Sequence, residues 1–379
     1  MSERVLFISH YLPPAYKAGG PISVVRALLA TGTVVDRMDF LGSSRELGSV
    51  RINATTLKAF DRDFPNVFRR DSALRILWYL MARRSRYGVV YINSLFDFRY
   101  SILPVLVSLI TGTRICISPR GELHPPALKS KRQKKRLWIA TVRLIERFKT
   151  LHWIATNIEE AEHIRRNLLA KTAQVQILND PIPTIPAIKR KTRAKDDPPV
   201  VLTCGRIAPI KNHKFVFECL EQLEKPLVWK VIGTIEDQRI YDELVRSTAV
   251  SRWIDLQYEG ARPHDEVLAA MREADVLFNP SFSENFGYVF LEALACGLPI
   301  LTSNGTPWKH LSEHGVGANI DLADKEGFRA ALSSLLEPDL ENSRGKLCRK
   351  HYLAIKQEYS PVQLIGLLDR LVKEIKLGR

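Results

Sequence analysis

The feature that most constrains the fold of this chain is a polar turn between a short apolar run and a helical pattern. The run Ala274–Asn279 ends at Pro280, a turn containing Glu284 follows, and Tyr288–Ala295 has the pattern of a helix. A buried strand followed by a loop and a helix start is the place where open α/β sheets bind ligands. Because a helix N-terminus offers free N–H groups and a positive dipole end, this turn suits a phosphate.

Two carboxylates lie on this segment, Glu284 in the turn and Glu292 eight positions later. At a helical rise of about 1.5 Å per residue, about 12 Å separates them along the chain. That span allows one carboxylate to reach a sugar and the other a ribose, with a diphosphate between them. An ordinary surface loop and amphipathic helix is the alternative that spacing alone leaves open.

A second loop carries two cations. Val200–Cys204 is a short, β-branched apolar run that predicts a buried strand, and it is followed by Gly205, Arg206 and, five positions further, Lys211. Arginine binds a diphosphate with two N–H groups, and lysine supplies a point charge. Together with the Glu284 turn, these cations favour a diphosphate site over solvated surface charges.

The two loops resemble the signature of the retaining nucleotide-sugar glycosyltransferases of family 4, which have the GT-B fold. The matching residues are Gly205-Arg206-x4-Lys211 and Glu284-x-Phe-Gly-x4-Glu292-Ala-x-Ala-x-Gly-x-Pro299. Val5–His10 with Gly19 and Gly20 resembles the opening strand and glycine loop of that family. Leu151–Asn157 resembles its last strand in the N-domain, so the resemblance extends over most of the chain.

The resemblance implies an α/β fold with two Rossmann-like domains whose parallel sheets face each other across a cleft. We expect an acceptor-binding domain at 1–185, a linker at 186–198, a donor-binding domain at 199–358, and a final helix at 359–379 that packs back on the first domain. The linker prediction rests on a proline-rich, charged stretch.

Apolar runs alternate with helical patterns, which also predicts parallel sheets with helices on both faces. The strand candidates are Val5–Ser9, Met38–Leu41, Val89–Asn93, Arg114–Ser118, Leu151–Ala155, Gln174–Leu178, Val200–Cys204, Val228–Ile232, Asp255–Tyr258, Val276–Asn279, Pro299–Thr302 and Ala318–Ile320.

Site roles follow from the resemblance residue by residue. Arg206 and Lys211 would hold the donor diphosphate and stabilise the leaving group, Glu284 would contact the transferred sugar, and Glu292 would hold the ribose. The implied donor-binding set is Gly19, Gly20, Gly205, Arg206, Lys211, Glu284, Asn285, Phe286, Gly287 and Glu292, with Arg206, Lys211 and Glu284 catalytic. In this family the leaving phosphate itself is thought to deprotonate the acceptor, so neither a side-chain nucleophile, a metal nor a cofactor is expected.

The sequence departs from the family pattern in several places. A histidine that many relatives carry after the fourth strand is absent, and Arg120 or Glu122 is expected on the acceptor side instead, with His124 further along. Trp308 is expected either to stack on a sugar or to pack in the core. The Asp61-Arg-Asp63 sequence is interpreted as a surface turn rather than a metal motif.

Length and composition limit the number of domains, the presence of membrane spans and the cellular compartment. A chain of 379 residues fits two domains, and the longest apolar stretch, Ile102–Ile110, is shorter than the roughly 20 residues of a membrane span. The N-terminus has no signal-peptide layout. The five cysteines are scattered and no histidine cluster has metal-ligand spacing, so we expect reduced thiols in a cytoplasmic protein.

The net charge of +15 lies wholly in the first half. Residues 1–185 hold 29 Lys/Arg and 14 Asp/Glu, whereas residues 186–379 hold 27 of each. Lys129–Lys149 has nine cations and one acid, with apolar residues at helical spacing, and Arg69–Arg86 is a second basic helix candidate with an apolar stripe at Leu74, Leu77, Trp78 and Met81. A solvated helix packed on the core, an anionic membrane surface and nucleic acid are the three interpretations. No nucleic-acid motif is found, which favours peripheral binding to the inner face of a membrane.

The leading hypothesis is therefore an enzyme that transfers a sugar from a nucleotide donor to a saccharide or lipid-linked acceptor. It would serve the biosynthesis of a surface polysaccharide such as lipopolysaccharide. The alternatives are a nucleotide-sugar epimerase of the same fold, or a basic lipid- or nucleic-acid-binding protein with a vestigial donor site.

Overall fold

The chain divides into two compact units, Met1–Thr184 with Tyr359–Arg379, and Ile185–Glu358. The computed structural model describes residues 4–129, 131–148, 150–168, 175–186, 193–194, 196–339, 342–358, 364, 366–367 and 370. The predicted helix at 359–379 lies largely outside these residues, and so does most of the predicted linker. Within the linker, Arg193 donates to Asp275 of its own unit at 3.0 Å.

The first unit contains a parallel sheet in the order β3-β2-β1-β4-β5-β6-β7. The first of these strands, β1, lies between β2 and β4 and is parallel to both. Val5 pairs with Met38 of β2 on one side and with Val89 of β4 on the other. The strands are β1 Arg4–Ile8, β2 Met38–Gly42, β3 Val67–Arg69, β4 Tyr87–Ile92, β5 Arg114–Ile117, β6 His152–Ala155 and β7 Val175–Ile177.

Helices accompany this sheet. Their bounds are α1 Gly20–Leu29, α2 Gly32–Val35, α3 Ala54–Asp63, α4 Ala73–Ala82, α5 Leu103–Thr111, α6 Pro125–Lys129, α7 Arg132–Glu146 and α8 Ile158–Leu168. Helices such as α1, α5 and α8 bury one apolar side as their periodicity predicts, whereas α3 buries no residue. The core joins strand residues such as Ile92 and Trp153 to helix residues such as Ile76, Val142 and Ile164.

The second unit contains a parallel sheet in the order β10-β9-β8-β11-β12-β13. Its strands are β8 Val200–Cys204, β9 Leu227–Ile232, β10 Ile254–Gly260, β11 Val276–Asn279, β12 Ile300–Ser303 and β13 Gly317–Ile320, and its helices are α9 His213–Glu221, α10 Gln238–Ala249, α11 His264–Glu273, α12 Tyr288–Ala295, α13 Lys325–Leu336 and α14 Ser343–Glu358. Trp229, Phe278 and Phe328 fill the core, and the buried indole of Trp229 donates to Thr203 Oγ1 at 2.9 Å.

All twelve predicted strands are present, with bounds that agree to within two residues, and the prediction of two parallel α/β sheets is confirmed. The short edge strand β3 was not predicted, because three residues carry no periodicity that a sequence can reveal. The predicted start of the helix at Arg69–Arg86 was wrong. Arg69 belongs to β3, and the Ser72 hydroxyl accepts the N–H of Arg75, which fixes the helix start at Ala73.

The interpretation of Asp61-Arg-Asp63 as a surface turn was right about the surface, since the side chains of Arg62 and Asp63 are 80% and 64% exposed, but wrong about the turn. These residues form the last turn of α3, whose start is capped by Asn53 through the N–H of Thr55 at 2.8 Å. Asp61 accepts from Arg69 Nε at 2.9 Å. The carboxylate is therefore engaged in an ion pair within its own unit.

The apolar stripes of the two basic helices face solvent more than a core-packed helix would. In α7 only part of the predicted stripe is buried: Trp138 is, whereas Leu137 is 73% exposed and Leu144 is 53% exposed. Phe148 just beyond α7 and Trp78 on α4 are exposed as well. Within the described part of the chain, no helix combines the length and the apolar character that crossing a bilayer requires.

Candidate functional site

The carboxyl ends of β8 and β11 meet at the point where the strand order of the second sheet reverses. The chain leaves β8 toward β9 and β10 on one side and returns to β11 on the other. The Asn279 side chain joins the two strand ends, accepting from the N–H of Cys204 at 3.1 Å and donating to its carbonyl at 2.5 Å. The loops that follow the two strands are thus held side by side at the usual ligand position of such sheets.

The loop after β8 brings Lys211 back over Gly205. Gly205 has φ +151, and a Cβ there would lie 3.1 Å from Lys211 Cε. Any side chain at this position would therefore crowd the lysine, and glycine leaves space for it. The lysine itself ends the short 3-10 turn Pro209–Lys211.

Lys211 and Glu284 form a hydrogen-bonded ion pair between the two loops. Their side chains are 14% and 13% exposed, so the pair is largely shielded from water. Ser281 Oγ donates to the same carboxylate oxygen of Glu284 at 2.7 Å. The structure thus brings together the cation and the acid that the sequence placed 73 positions apart.

Arg206, the other predicted cation, pairs with Glu236 in the loop after β9. Both side chains are about half exposed, at 49% and 51%. An exposed pair of this kind contributes little to stability, about 0–1 kcal/mol, and separates readily when an anion competes for the guanidinium. Glu236 was not identified from the sequence.

Gly287 is the residue that precedes α12, and it has the left-handed conformation with φ +78. A Cβ on it would lie 2.6 Å from the ring of Phe290. Trp308 packs against Phe286 and Phe290 and donates its indole N–H to the carbonyl of Phe286 at 2.6 Å. Of the two roles expected for Trp308, packing is the one observed, and it fixes the loop Asn285–Gly287 at the helix start.

Glu292 is 7% exposed on α12, and His264 at the start of α11 contacts it at 3.0 Å. Burial, and then the charges of Glu292 and Glu259, raise the pKa of the Cys204 thiol at the end of β8, while Lys211 lowers it. The two expected donor-binding charges therefore act on the same strand end. His264 was missed, because nothing in a sequence links it to a glutamate 28 residues later.

The first unit has an equivalent strand reversal between β1 and β4. Gly19 has φ +66 and precedes α1, which starts at Gly20. Beyond β1 and β4, His10 Nδ1 lies 2.8 Å from Asp97 Oδ2. Burial raises the pKa of Asp97, but the hydrogen bonds from His10 and from the backbone N–H groups of Tyr100 and Arg99 outweigh it, so the net shift is downward.

Arg120 and Glu122, expected on the acceptor side, are both engaged inside the first unit. Arg120 pairs with Asp180 and donates to Asn93 Oδ1 at 2.5 Å. Glu122 accepts from the N–H groups of Leu95 and Phe96 at 2.6 and 3.2 Å, and burial raises its pKa. These contacts organise the loops after β4 and β5.

One part of the chain matches a known family. Residues 184–351, which span nearly all of the second unit, match the family model for glycosyl transferases group 1. The D-inositol 3-phosphate glycosyltransferase of Corynebacterium efficiens is 28% identical over 149 residues, 37% of this chain and 35% of the relative. That of Geodermatophilus obscurus is 28% identical over 203 residues, 50% of this chain and 44% of the relative. The chain thus aligns with less than half of each relative.

Solved structures match the whole chain. Anabaena HepE in complex with UDP-glucose has a TM-score of 0.69 at 14% identity, with 99% of this chain and 100% of that chain covered. WaaG, a glycosyltransferase involved in lipopolysaccharide biosynthesis, has a TM-score of 0.62 at 16% identity, with 96% and 99% covered. The fold is therefore that of the GT-B glycosyltransferases, and the second unit carries the match to the group 1 family.

Proposed function

We propose that this protein is a retaining glycosyltransferase that moves a sugar from a nucleotide-sugar donor to a saccharide or lipid-linked acceptor. The observation that carries the proposal is the pairing of Lys211 with Glu284 at the strand reversal of the second unit. The group 1 match over that unit supports the reaction class, and the UDP-glucose complex of HepE supports the donor class.

Lys211 and Arg206 are the groups that stabilise the departing nucleoside diphosphate. Lys211 is paired with Glu284, and Arg206 is paired with Glu236. An incoming diphosphate can take the place of either carboxylate as the partner of the cation. Because the lysine is largely shielded from water, its attraction for a developing phosphate charge is stronger than in bulk solvent. The glycine at 205 keeps the approach to the lysine open.

Glu284 and Glu292 orient the two ends of the donor. Once the diphosphate occupies Lys211, Glu284 accepts hydrogen bonds from hydroxyls of the transferred sugar. Glu292, held by His264, accepts those of the ribose. The loop Asn285–Gly287 brings backbone N–H groups to the sugar and phosphate at the start of α12, where the helix dipole favours negative charge.

In this proposal, the leaving phosphate deprotonates the acceptor, and the acceptor attacks the sugar from the face that the phosphate leaves. The anomeric configuration of the sugar is therefore retained. Ser281 Oγ donates to Glu284, and in this proposal the carboxylate serves as a hydrogen-bond acceptor for the sugar and not as a nucleophile. The reaction requires no metal and no cofactor, because the two cations take over the charge of the leaving group.

The acceptor is proposed to be presented at an anionic membrane surface, where the first unit docks. Exposed Leu137, Leu144 and Phe148 lie among the cations of the Lys129–Lys149 segment. Apolar side chains that enter the interface beside cations suit anionic lipid, whereas nucleic acid offers no apolar layer for them. A role in surface polysaccharide biosynthesis at the inner face of the membrane fits this surface.

The test is nucleotide release from a panel of UDP-, GDP- and other nucleotide sugars, with EDTA present and membrane extract as acceptor. We expect release with one donor, lost in Glu284→Ala, and a product whose anomeric configuration by NMR equals that of the donor. Inversion would refute the retaining mechanism. An epimerase would instead interconvert the sugar of the donor, and a binding protein with a vestigial site would bind lipid or nucleic acid without any turnover.

A further inference from the structure

Two histidines and a glutamate lie close together in the first unit, although one of the histidines is distant from the other two residues in the sequence. His124 lies in the loop between β5 and α6, while Glu159 and His163 lie one turn apart on the same face of α8. The ligand atoms that these three side chains offer all lie within 4.8 Å of one another. The two imidazole rings meet edge to face with centroids 4.3 Å apart.

Each imidazole has a polar atom that the described part of the chain leaves unsatisfied. His124 Nε2 and His163 Nδ1 are buried and have no hydrogen-bond partner among the residues that the structure describes. Leaving such a buried group unpaired costs about 1–3 kcal/mol, so a pair of them on touching rings calls for a ligand.

We propose that His124, Glu159 and His163 form a binding site for a divalent late first-row transition metal such as Zn²⁺. Two imidazoles and one carboxylate are a ligand set that suits this ion, with water in the fourth position. Metal–ligand distances of about 2.0–2.2 Å require the three groups to draw together slightly. Glu159 is able to move, because its side chain is 67% exposed.

The metal would fasten the loop after β5 to α8. One such link exists already, since the N–H of Gly121 donates to Glu160 on α8 at 2.6 Å. The same loop carries Arg120 and Glu122, which organise the strand ends of the first unit. The site shares no residue with the donor-binding set, so the metal stabilises a loop and takes no part in the transfer.

The experiment is a titration of tag-free, chelator-treated protein with Co²⁺ and Zn²⁺. We expect equimolar binding, ligand-field absorption of four-coordinate Co²⁺ without the near-ultraviolet band of a cobalt–thiolate bond, and a higher melting temperature with Zn²⁺. His163→Gln and His124→Gln should abolish the equimolar binding. Glu159→Gln should weaken it, and because this residue is exposed the variant should remain folded by circular dichroism.

The matched control is His310→Gln. His310 is an exposed histidine paired with Glu313 at 2.7 Å, and it lies in the second unit, outside the proposed site. Its replacement should leave metal binding unchanged. The proposal is overturned if the wild type binds no Co²⁺, or if folded Glu159→Gln and His163→Gln bind it as tightly as the wild type.

Discussion

Lys211 and Glu284, which lie 73 positions apart in the chain, form an ion pair where the loops after β8 and β11 meet. Neither residue is at the surface in the usual sense, since each side chain is about one-seventh exposed. Under the proposed function, the lysine of this pair binds the phosphate of the donor and the acid binds the sugar. Opening of the pair by the donor would then couple the binding of these two groups.

Replacement of Lys211 by alanine should lower kcat by about 10²–10³-fold, the loss seen when one preorganised group that stabilises developing charge is removed. Steady-state nucleotide release measures the effect. Lys214→Ala is the control, because Lys214 forms an exposed pair with Glu243 at 3.1 Å just beyond the same loop. If Lys211→Ala and Lys214→Ala released nucleotide at equal rates, Lys211 would have no role in stabilising the leaving group.

Glu292→Gln should raise the KM for the donor by about 10–100-fold, since hydrogen bonds to a charged acceptor contribute about 1.5–3 kcal/mol. His264→Ala should have a smaller effect in the same direction, because it releases the Glu292 carboxylate without removing it. Glu266→Gln on the same helix α11 is exposed and should change nothing. An unaltered KM in Glu292→Gln would argue that the ribose is bound elsewhere.

Gly287→Ala should destabilise the second unit more than Gly260→Ala does. Both glycines have positive φ, +78 and +69, so both variants carry the left-handed cost of about 1–2 kcal/mol. Only at Gly287 does the new methyl group meet a side chain, the ring of Phe290, and overpacking adds about 1–3 kcal/mol. The midpoint of urea unfolding measures the difference, and equal midpoints would contradict the steric explanation.

Phe148→Ser should reduce co-sedimentation with phosphatidylglycerol-containing vesicles. Phe148 is 84% exposed beside the cations of α7, so its replacement removes apolar contact with lipid while the core stays intact. Val250→Ser in the second unit is a matched control, since Val250 is 87% exposed without a comparable basic segment. The binding of the wild type should also fall with added salt. If both variants bind as the wild type does, the membrane-docking proposal for α7 is refuted.

The strands and α12 could be predicted because short β-branched runs and a helical pattern are properties of local sequence. The loop residues Lys211 and Glu284 were also accessible, since the ends of neighbouring parallel strands meet at one sheet edge. The partners Glu236 and His264 were not accessible from sequence, because each arrives from an element whose position depends on the sheet order.

The basic helices show a different limit of sequence reasoning. In α7, Trp138 and Leu137 are adjacent and both apolar, yet one is buried and the other is 73% exposed. Periodicity assigns a stripe with an uncertainty of about one helical position, equal to a rotation of roughly 100°. Which side faces the core is decided by packing, here by the hydrogen bond from the Trp138 indole to the carbonyl of Leu95 at 2.9 Å.

The buried cysteines allow the local opening of each unit to be measured through the accessibility of its thiols. All five cysteines are buried as thiols, Cys116 in the first unit and the other four in the second. Burial raises the pKa of Cys116, Cys204 and Cys219, so these thiols react with alkylating agents only when their surroundings open. The alkylation rate of Cys116, measured by mass spectrometry, therefore reports the opening of the first unit, and the rates of Cys204 and Cys219 report that of the second. Protection of Cys204 by a nucleotide sugar would mark donor binding without any assay of turnover.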